Sequence, residues 1–224
     1  DNGNNGRTEL VFVVDRSGSM GGLESDTIGG FNSMLSKQRT IAGECRVTTL
    51  LFDHRIETLH NHLDIREVND LTSRDYWVRG STALLDAIGL AIDRMIVTQR
   101  HTAAAYRAQH VLFVIITDGY ENASRRYSLH QIKQMITYER ERYHWEFVFL
   151  GANIDAEQTA GDFGISPRCA TDFHADGQGI KASFEAVACA ATAVRGGADL
   201  DDLSAPDFLG GVRDDYRSRR RMKR

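Results

Sequence analysis

Asp15-Arg16-Ser17-Gly18-Ser19 places a carboxylate and two hydroxyls at alternate positions. The glycine among them lets a tight turn aim all three side chains at one spot. Two further segments carry oxygen donors of the same kind. Gly80-Ser81-Thr82 stands directly before a stretch with helical spacing, and Thr117-Asp118-Gly119 closes the most apolar run of the chain. None of these donors is a thiolate or an imidazole. Hard oxygen ligands suit Mg2+, Mn2+ or Ca2+ rather than zinc or copper. Mg2+ fits best, because it takes few protein ligands and keeps its waters. The supply of negative charge is thin for a dedicated Ca2+ cage.

Such a site requires three distant segments to meet, and that is a demand on the fold. Residues 9–15 (ELVFVVD) form an apolar run ending at a carboxylate, the pattern of a strand buried on both faces. Ile28, Phe31, Met34 and Leu35 then recur at helical spacing, which predicts a helix over about 26–37. Residues 47–52 read as the next strand. A tight turn at Asp53 and His54 leads into a polar strand over 55–63, suited to a sheet edge. Leu84, Ile88, Ile92, Met95 and Ile96 mark an amphipathic helix starting near Thr82. Strands over 110–117 and 146–150 follow, with helices over 129–142 and 155–163, a weak strand over 169–173, and a last helix whose face runs from Ile180 to Val194. Alternation of this kind predicts an α/β fold: a doubly wound, mostly parallel, Rossmann-like sheet with helices on both faces and one antiparallel edge strand. In such sheets ligands bind beyond the carboxyl ends of the strands, where the strand order reverses. All three donor segments fall at strand or helix ends of that kind.

ELVFVVDRSGSM, followed by RGSTALLDAIG and VIITDG, resembles the von Willebrand factor A domain, whose metal ion-dependent adhesion site (MIDAS) reads DxSxS, then Thr, then Asp. The resemblance covers about residues 8–195 and is nearest to stand-alone bacterial members. DxSxS alone is a weak motif; three parts in order, each at an element end, form a specific one. Carried over by position, the resemblance implies a metal site of Asp15, Ser17, Ser19, Thr82 and Asp118. It implies that Ser17, Ser19 and Thr82 bind the ion directly, while Asp15 and Asp118 often act through water. It also implies a function: neutral hydroxyls leave the cation electrophilic, so that it captures an Asp or Glu of a partner protein. Met20, Tyr76, Trp77, Arg79 and Tyr120 flank the three segments and are expected to rim the binding face. Asp86 completes the family pattern and is expected to order the start of its helix; Ser81 is the alternative ligand to Thr82.

Other readings compete. A Mg2+-dependent hydrolase acting on phosphoesters would use the same ion. Two-metal phosphoesterases, however, usually need more converging carboxylates than Asp15 and Asp118. The chain has neither a GxxxxGK[ST] phosphate loop nor a GxSxG elbow. A regulatory subunit of a larger machine, such as an ATPase or toxin assembly, would leave the metal chemistry unchanged. His60 and His62 form an HxH pair that, on a regular strand, faces one way and with His54 could hold zinc; no spacing completes that site, and an exposed edge strand is the plainer reading. Asn122-Ala123-Ser124 matches a glycosylation sequon, more simply a chance match. Arg217 to Arg224 is a basic end, read as a frayed, solvated terminus beside Asp199, Asp201, Asp202, Asp214 and Asp215.

Size and composition bound these readings. A chain of 224 residues suits one domain with a substantial core. The expected boundaries are a disordered lead over 1–7, the domain over 8–195, and a partly disordered extension over 196–224. A net charge of −4 gives no reason to expect nucleic acid as the main partner. No run of about eighteen apolar residues exists to span a membrane. The opening DNGNNGRTEL lacks the apolar core of a signal peptide, although the chain lacks an initiator Met and a leader could have been removed. Cys45, Cys169 and Cys189 are odd in number and lack CxxC spacing, so buried free thiols in a reducing compartment, and hence the cytoplasm, are expected; a Cys169–Cys189 disulfide has no support.

Overall fold

The structure, a computed structural model, describes residues 6–222. Its centre is one six-stranded sheet in the order β3-β2-β1-β4-β5-β6. The strands are β1 (Thr8–Asp15), β2 (Cys45–Phe52), β3 (Ile56–Asp64), β4 (His110–Thr117), β5 (Glu146–Gly151) and β6 (Ala170–Asp172). All neighbouring pairs are parallel except β2 and β3, a hairpin that places the antiparallel strand at one edge, as expected. β1 is buried along its whole length and β4 almost so, which is why both read as unbroken apolar runs rather than as alternating ones.

Helices α1 (Glu24–Arg39), α2 (Leu84–His101), α3 (Leu129–Tyr143), α4 (Ala156–Asp162) and α5 (Gly177–Arg195) cover the sheet. From β1 the chain winds one way through α1 to β2, and later the other way through α2 to β4. Right-handed crossovers in opposite directions put the two helices on opposite faces. α1 packs on α5, and α2 on α3. The first pair meets where Phe31 lies edge-on to both Phe12 and Phe184, with centroids 5.2 and 6.3 Å apart. A methyl group at Gly30 would come within 2.4 Å of the Phe184 ring, so this close approach requires glycine. Arg195, 2% exposed, donates to the carbonyls of Gln38, Ile41 and Gly43 and so closes the carboxyl end of α1.

A sixth helix, α6 (Gly210–Met222), was not anticipated in the region read as an extension. It packs on β6 and α5, burying Val212, with Leu209 buried just ahead of it. Arg213 donates to the carbonyls of Pro167, Arg168 and Ala170, and Arg219 to Asp176 and Asp215. These arginines act as anchors, whereas Arg217 and Arg220 are exposed. The apolar signal of α6 is too sparse to stand out among its charges. Residues 223–224 of the basic end and 1–5 of the expected lead lie outside the described residues. Gly6 is buried and Arg7 pairs with Glu44 at 2.7 Å.

The histidine pair does not share a face. A bulge in β3 breaks the register opposite Thr48, with His62 in the left-handed region at φ 55°. His60 hydrogen-bonds Thr49 and is buried, while His62 takes the neighbouring Thr48 Oγ1 through its backbone N–H and lies 2.7 Å from Glu9. Thr48 and Thr49 point to opposite faces, so the histidines diverge. Among the described residues, no three His, Cys, Asp or Glu side chains gather into a metal cluster. The cysteines are all free, as expected, but only Cys45 and Cys169 are buried; Cys189 is exposed. No helix among the described residues is long and apolar enough to cross a membrane.

Candidate metal centre

β1 and β4 are neighbours from which the chain winds in opposite directions, so the strand order reverses between their carboxyl ends. Asp15 is the last residue of β1 and Asp118 follows the last residue of β4, which sets both carboxylates at that crevice. Thr82 arrives from the loop that enters α2.

Asp15 is fully buried and both its oxygens are used within the protein. Oδ1 accepts from the Ser17 backbone N–H at 2.6 Å, folding the turn back on itself; Oδ2 accepts from Thr117 Oγ at 2.7 Å and, at 3.4 Å, from the Asp118 backbone N–H. Ser17 Oγ and Ser19 Oγ are 3.0 Å apart, and Ser19 Oγ donates to Asp118 Oδ1. A methyl group at Gly119 would lie 3.6 Å from Ser19 Oγ and 3.9 Å from Thr82 Oγ1, so both hydroxyls reach the same spot. The five expected residues are therefore brought together. Asp118 Oδ2 is buried with no hydrogen-bond partner among the described residues.

The electrostatics are those of a site short of positive charge. Burial pushes the Asp118 carboxyl up to about 6; the Ser19 hydrogen bond pulls it back, and the Asp15 charge adds to the push. Burial also raises Asp15, against hydrogen bonds from Ser17, Thr117 and the Asp118 backbone. No Lys, Arg or His among the described residues hydrogen-bonds either carboxylate. Two buried carboxylates, three neutral hydroxyls and one orphaned oxygen fit a hard divalent cation, which would supply the missing charge.

The surroundings hold the three segments rigidly. Gly18 N–H donates to Gly80 O at 3.1 Å and Arg79 N–H to Arg16 O at 2.9 Å, which clasps the second segment to the first. Gly80 takes φ +68° directly beneath the His54 ring, a position that a side chain would block. The Thr82 backbone N–H donates to Asn122 Oδ1 at 2.8 Å, and Asn122 N–H returns a bond to Thr82 O at 3.0 Å. The residue before α2, Ala83, has no side chain able to cap, so the loop after β4 does so: Glu121 accepts from Leu85 N–H, and Ser124 from Asp86 N–H. Asp86 was expected to order its own helix start. Instead its carboxylate accepts the backbone N–H groups of Arg125, Arg126 and Tyr127, fastening that same loop.

Burial divides the expected rim. Met20 is fully buried and Tyr76 is 1% exposed, so neither can touch a partner. Met20 belongs to the core beneath the turn. Tyr76 donates its hydroxyl to the Asp15 backbone carbonyl at 2.6 Å, seating the end of β1. Trp77 (41% exposed) and Tyr120 (62%) do reach solvent, and Arg79 is half-buried. One group escaped the sequence reading. Asp53, directly after β2 at the same end of the sheet, is fully buried and accepts from Arg16 Nε, Arg79 Nε and the Arg55 backbone. Burial pushes its carboxyl up, but Arg79, the Arg55 N–H and Arg16 outweigh that and hold it below the usual range. Its place after a buried strand is the signal in the sequence that could have found it, although beside His54 it reads as a turn residue. Among the described residues, neither Ser17 nor Ser19 hydrogen-bonds a histidine; Ser19 is bonded instead to the Asp118 carboxylate.

No protein-family model matches the chain, and no curated protein matches it by sequence. Solved structures do match. Proximal thread matrix protein 1 from the mussel byssus, in a form with a zinc-occupied MIDAS motif, is 15% identical over 83% of this chain at a TM-score of 0.59. The manganese-loaded TRAP protein of Plasmodium vivax is 15% identical over 80% of this chain and 72% of its own, at a TM-score of 0.53. The chain spans about half the length of the mussel protein, 46%. Sheet order, hairpin edge and these likenesses define the fold: this chain has the von Willebrand factor A fold. At such identities the likeness extends to the fold alone.

Proposed function

We propose that this domain binds one divalent cation, Mg2+ in the first instance, through Asp15, Ser17, Ser19, Thr82 and Asp118, and that it is a non-catalytic interaction or regulatory module. When bound, the ion would supply a Lewis-acidic position for an Asp or Glu of a partner protein. The observation that carries this reading is the buried Asp118 Oδ2, without a partner among hydroxyls and a second carboxylate. Ser17, Ser19 and Thr82 would offer neutral oxygens, leaving the ion's charge largely available to an incoming anion. Asp15, with both oxygens already engaged, would orient the turn and hold the ion's waters. Trp77, Arg79 and Tyr120 would rim the contact. Two carboxylates, Asp15 and Asp118, are fewer than a two-metal phosphoesterase usually brings together, which weighs against phosphoester hydrolysis, and the free cysteines fit a reducing compartment.

Isothermal titration calorimetry with Mg2+ and Mn2+ tests the metal, and capture of partners in Mg2+ against EDTA tests the function. Alanine at Asp15 or Thr82 is expected to weaken metal binding and to abolish metal-dependent capture. Capture indifferent to EDTA would overturn the reading, as would turnover of generic phosphate esters abolished by Asp15→Asn.

A further inference from the structure

The exposed flank of the site is organised around one guanidinium. The Arg79 backbone is bonded to Arg16 O, which fixes it beside the turn that carries Ser17 and Ser19. Its Nε donates to Asp53 Oδ2 at 2.8 Å, and its Cζ lies 4.5 Å from the centroid of the Trp77 ring. Nη1 and Nη2 have no hydrogen-bond partner among the described residues, and the side chain is 34% exposed. Arg16 provides the contrast. It shares Asp53 and also lies over Trp77, but it is 1% exposed and its Nη1 is 2.7 Å from Glu57. One arginine is consumed by the interior; the other keeps its fork unpaired.

An ordinary surface arginine is a poor anchor, because binding must first freeze its rotamers. Arg79 is already held at Nε and stacked on one face. What remains free is the pair of nitrogens that matches a carboxylate in two parallel bonds. The one carboxylate that Arg79 touches is divided with Arg16 and the Arg55 N–H, so its charge is not fully answered. We propose that Arg79 is a specificity residue that reads a second acidic side chain of the partner, so that the preferred segment carries two carboxylates, one for the metal and one for this fork. This rests on the metal-capture reading of the site.

The probes are capped peptides with two Asp residues separated by one, two or three glycines, and matched peptides with Asn in place of the second Asp. Binding is followed by NMR titration of the full chain in excess Mg2+. At least one two-carboxylate peptide is expected to bind about tenfold more tightly than its Asn counterpart, the size of one charge-assisted hydrogen-bonded pair. Arg79→Gln is expected to bind both peptides alike, and Arg79→Lys, which keeps the charge but not the fork, to recover only part of the difference. Equal binding of all peptides to the unaltered protein overturns the proposal without any variant, and so does a difference that survives Arg79→Gln. Failure of the underlying reading looks different: the Asn peptide would then bind no better in Mg2+ than in EDTA, and the proposal would fall with it.

Discussion

The two ends of the sheet each bury a carboxylate with one unsatisfied oxygen, and they deal with the charge in opposite ways. At the amino end, Glu9 of β1 is 3% exposed, with Oε1 2.7 Å from His62 Nδ1 and Oε2 without a partner among the described residues. Burial pushes its carboxyl up to about 8, against the pull of Arg46 and with a further push from Glu44. Burial, helped by Arg46, holds the His62 imidazole below its usual range. Near neutral pH both groups are therefore uncharged. A proton settles the account there. At the carboxyl end, Asp118 reaches only about 6 and remains ionised at neutral pH, next to a second buried carboxylate and three hydroxyls. Among the described residues, no imidazole or guanidinium hydrogen-bonds it. Burial of an acid is therefore not what marks a site; the chemistry of its neighbours is.

The most direct effect expected from this contrast is the response to metal. Mg2+ at about a hundredfold over its dissociation constant should stabilise the chain by roughly 2.7 kcal/mol. At about 2–4 °C per kcal/mol for a chain of this size, that is a rise in Tm of several degrees. Asp118→Ala should abolish the rise, whereas Glu9→Gln should retain it. Scanning calorimetry of the three proteins, with Mg2+ and with EDTA, decides. A rise that persists in Asp118→Ala, or disappears in Glu9→Gln, breaks the distinction between the two ends.

The carboxyl end was far more legible in the sequence than the amino end, and the reason is physical. Asp15 and Asp118 sit where a buried apolar run stops and Thr82 where a helical period starts, and such boundaries are visible in one dimension. The strands and five of the helices followed from the same periodicities, with ends shifted by at most three residues. The supports were not visible. Tyr76 and Met20 look like a contact surface because they flank the donor segments, yet their burial depends on how the loop over 64–79 folds back under β1. Glu9 meets His62 only across β2, through a bulge that no alternation pattern announces. Helix α6 is charged along most of its length, and its few buried positions have meaning only against β6.

Replacing Glu9 sharpens the comparison through pH. A carboxyl whose folded pKa is about 8, against an unfolded value near 4.5, contributes fully below about pH 4.5. That contribution is lost progressively between pH 4.5 and 8, because the unfolded chain gives up the proton over that range while the fold retains it, and it is gone once pH has risen through 8. Glu9→Gln keeps the shape and a donor for His62 but cannot ionise. Relative to the parent it should gain stability steadily from about pH 4.5 towards about pH 8.5. The change across that range should be on the order of 4 kcal/mol, on top of a constant cost for burying the amide. Denaturant melts across that range measure it. A constant offset between the two proteins would mean that Glu9 is already ionised in the fold.

The smallest effect belongs to the hydroxyl beneath the metal centre. Tyr76→Phe removes the donor to the Asp15 carbonyl and leaves the ring in its place, so the packing of the loop against β1 is retained. The carbonyl lies under buried side chains, and an unmade bond there should cost about 1 kcal/mol, or a few degrees in Tm. The Asp15 side chain is held separately, by Ser17 N–H and Thr117 Oγ, and those bonds do not pass through Tyr76. The Mg2+-induced rise in Tm should therefore survive in the variant almost undiminished. Losing it along with the small loss of stability would mean that the seat of β1 and the donor set form one unit, so that the carboxyl end depends on its scaffold as closely as Glu9 depends on its bulge.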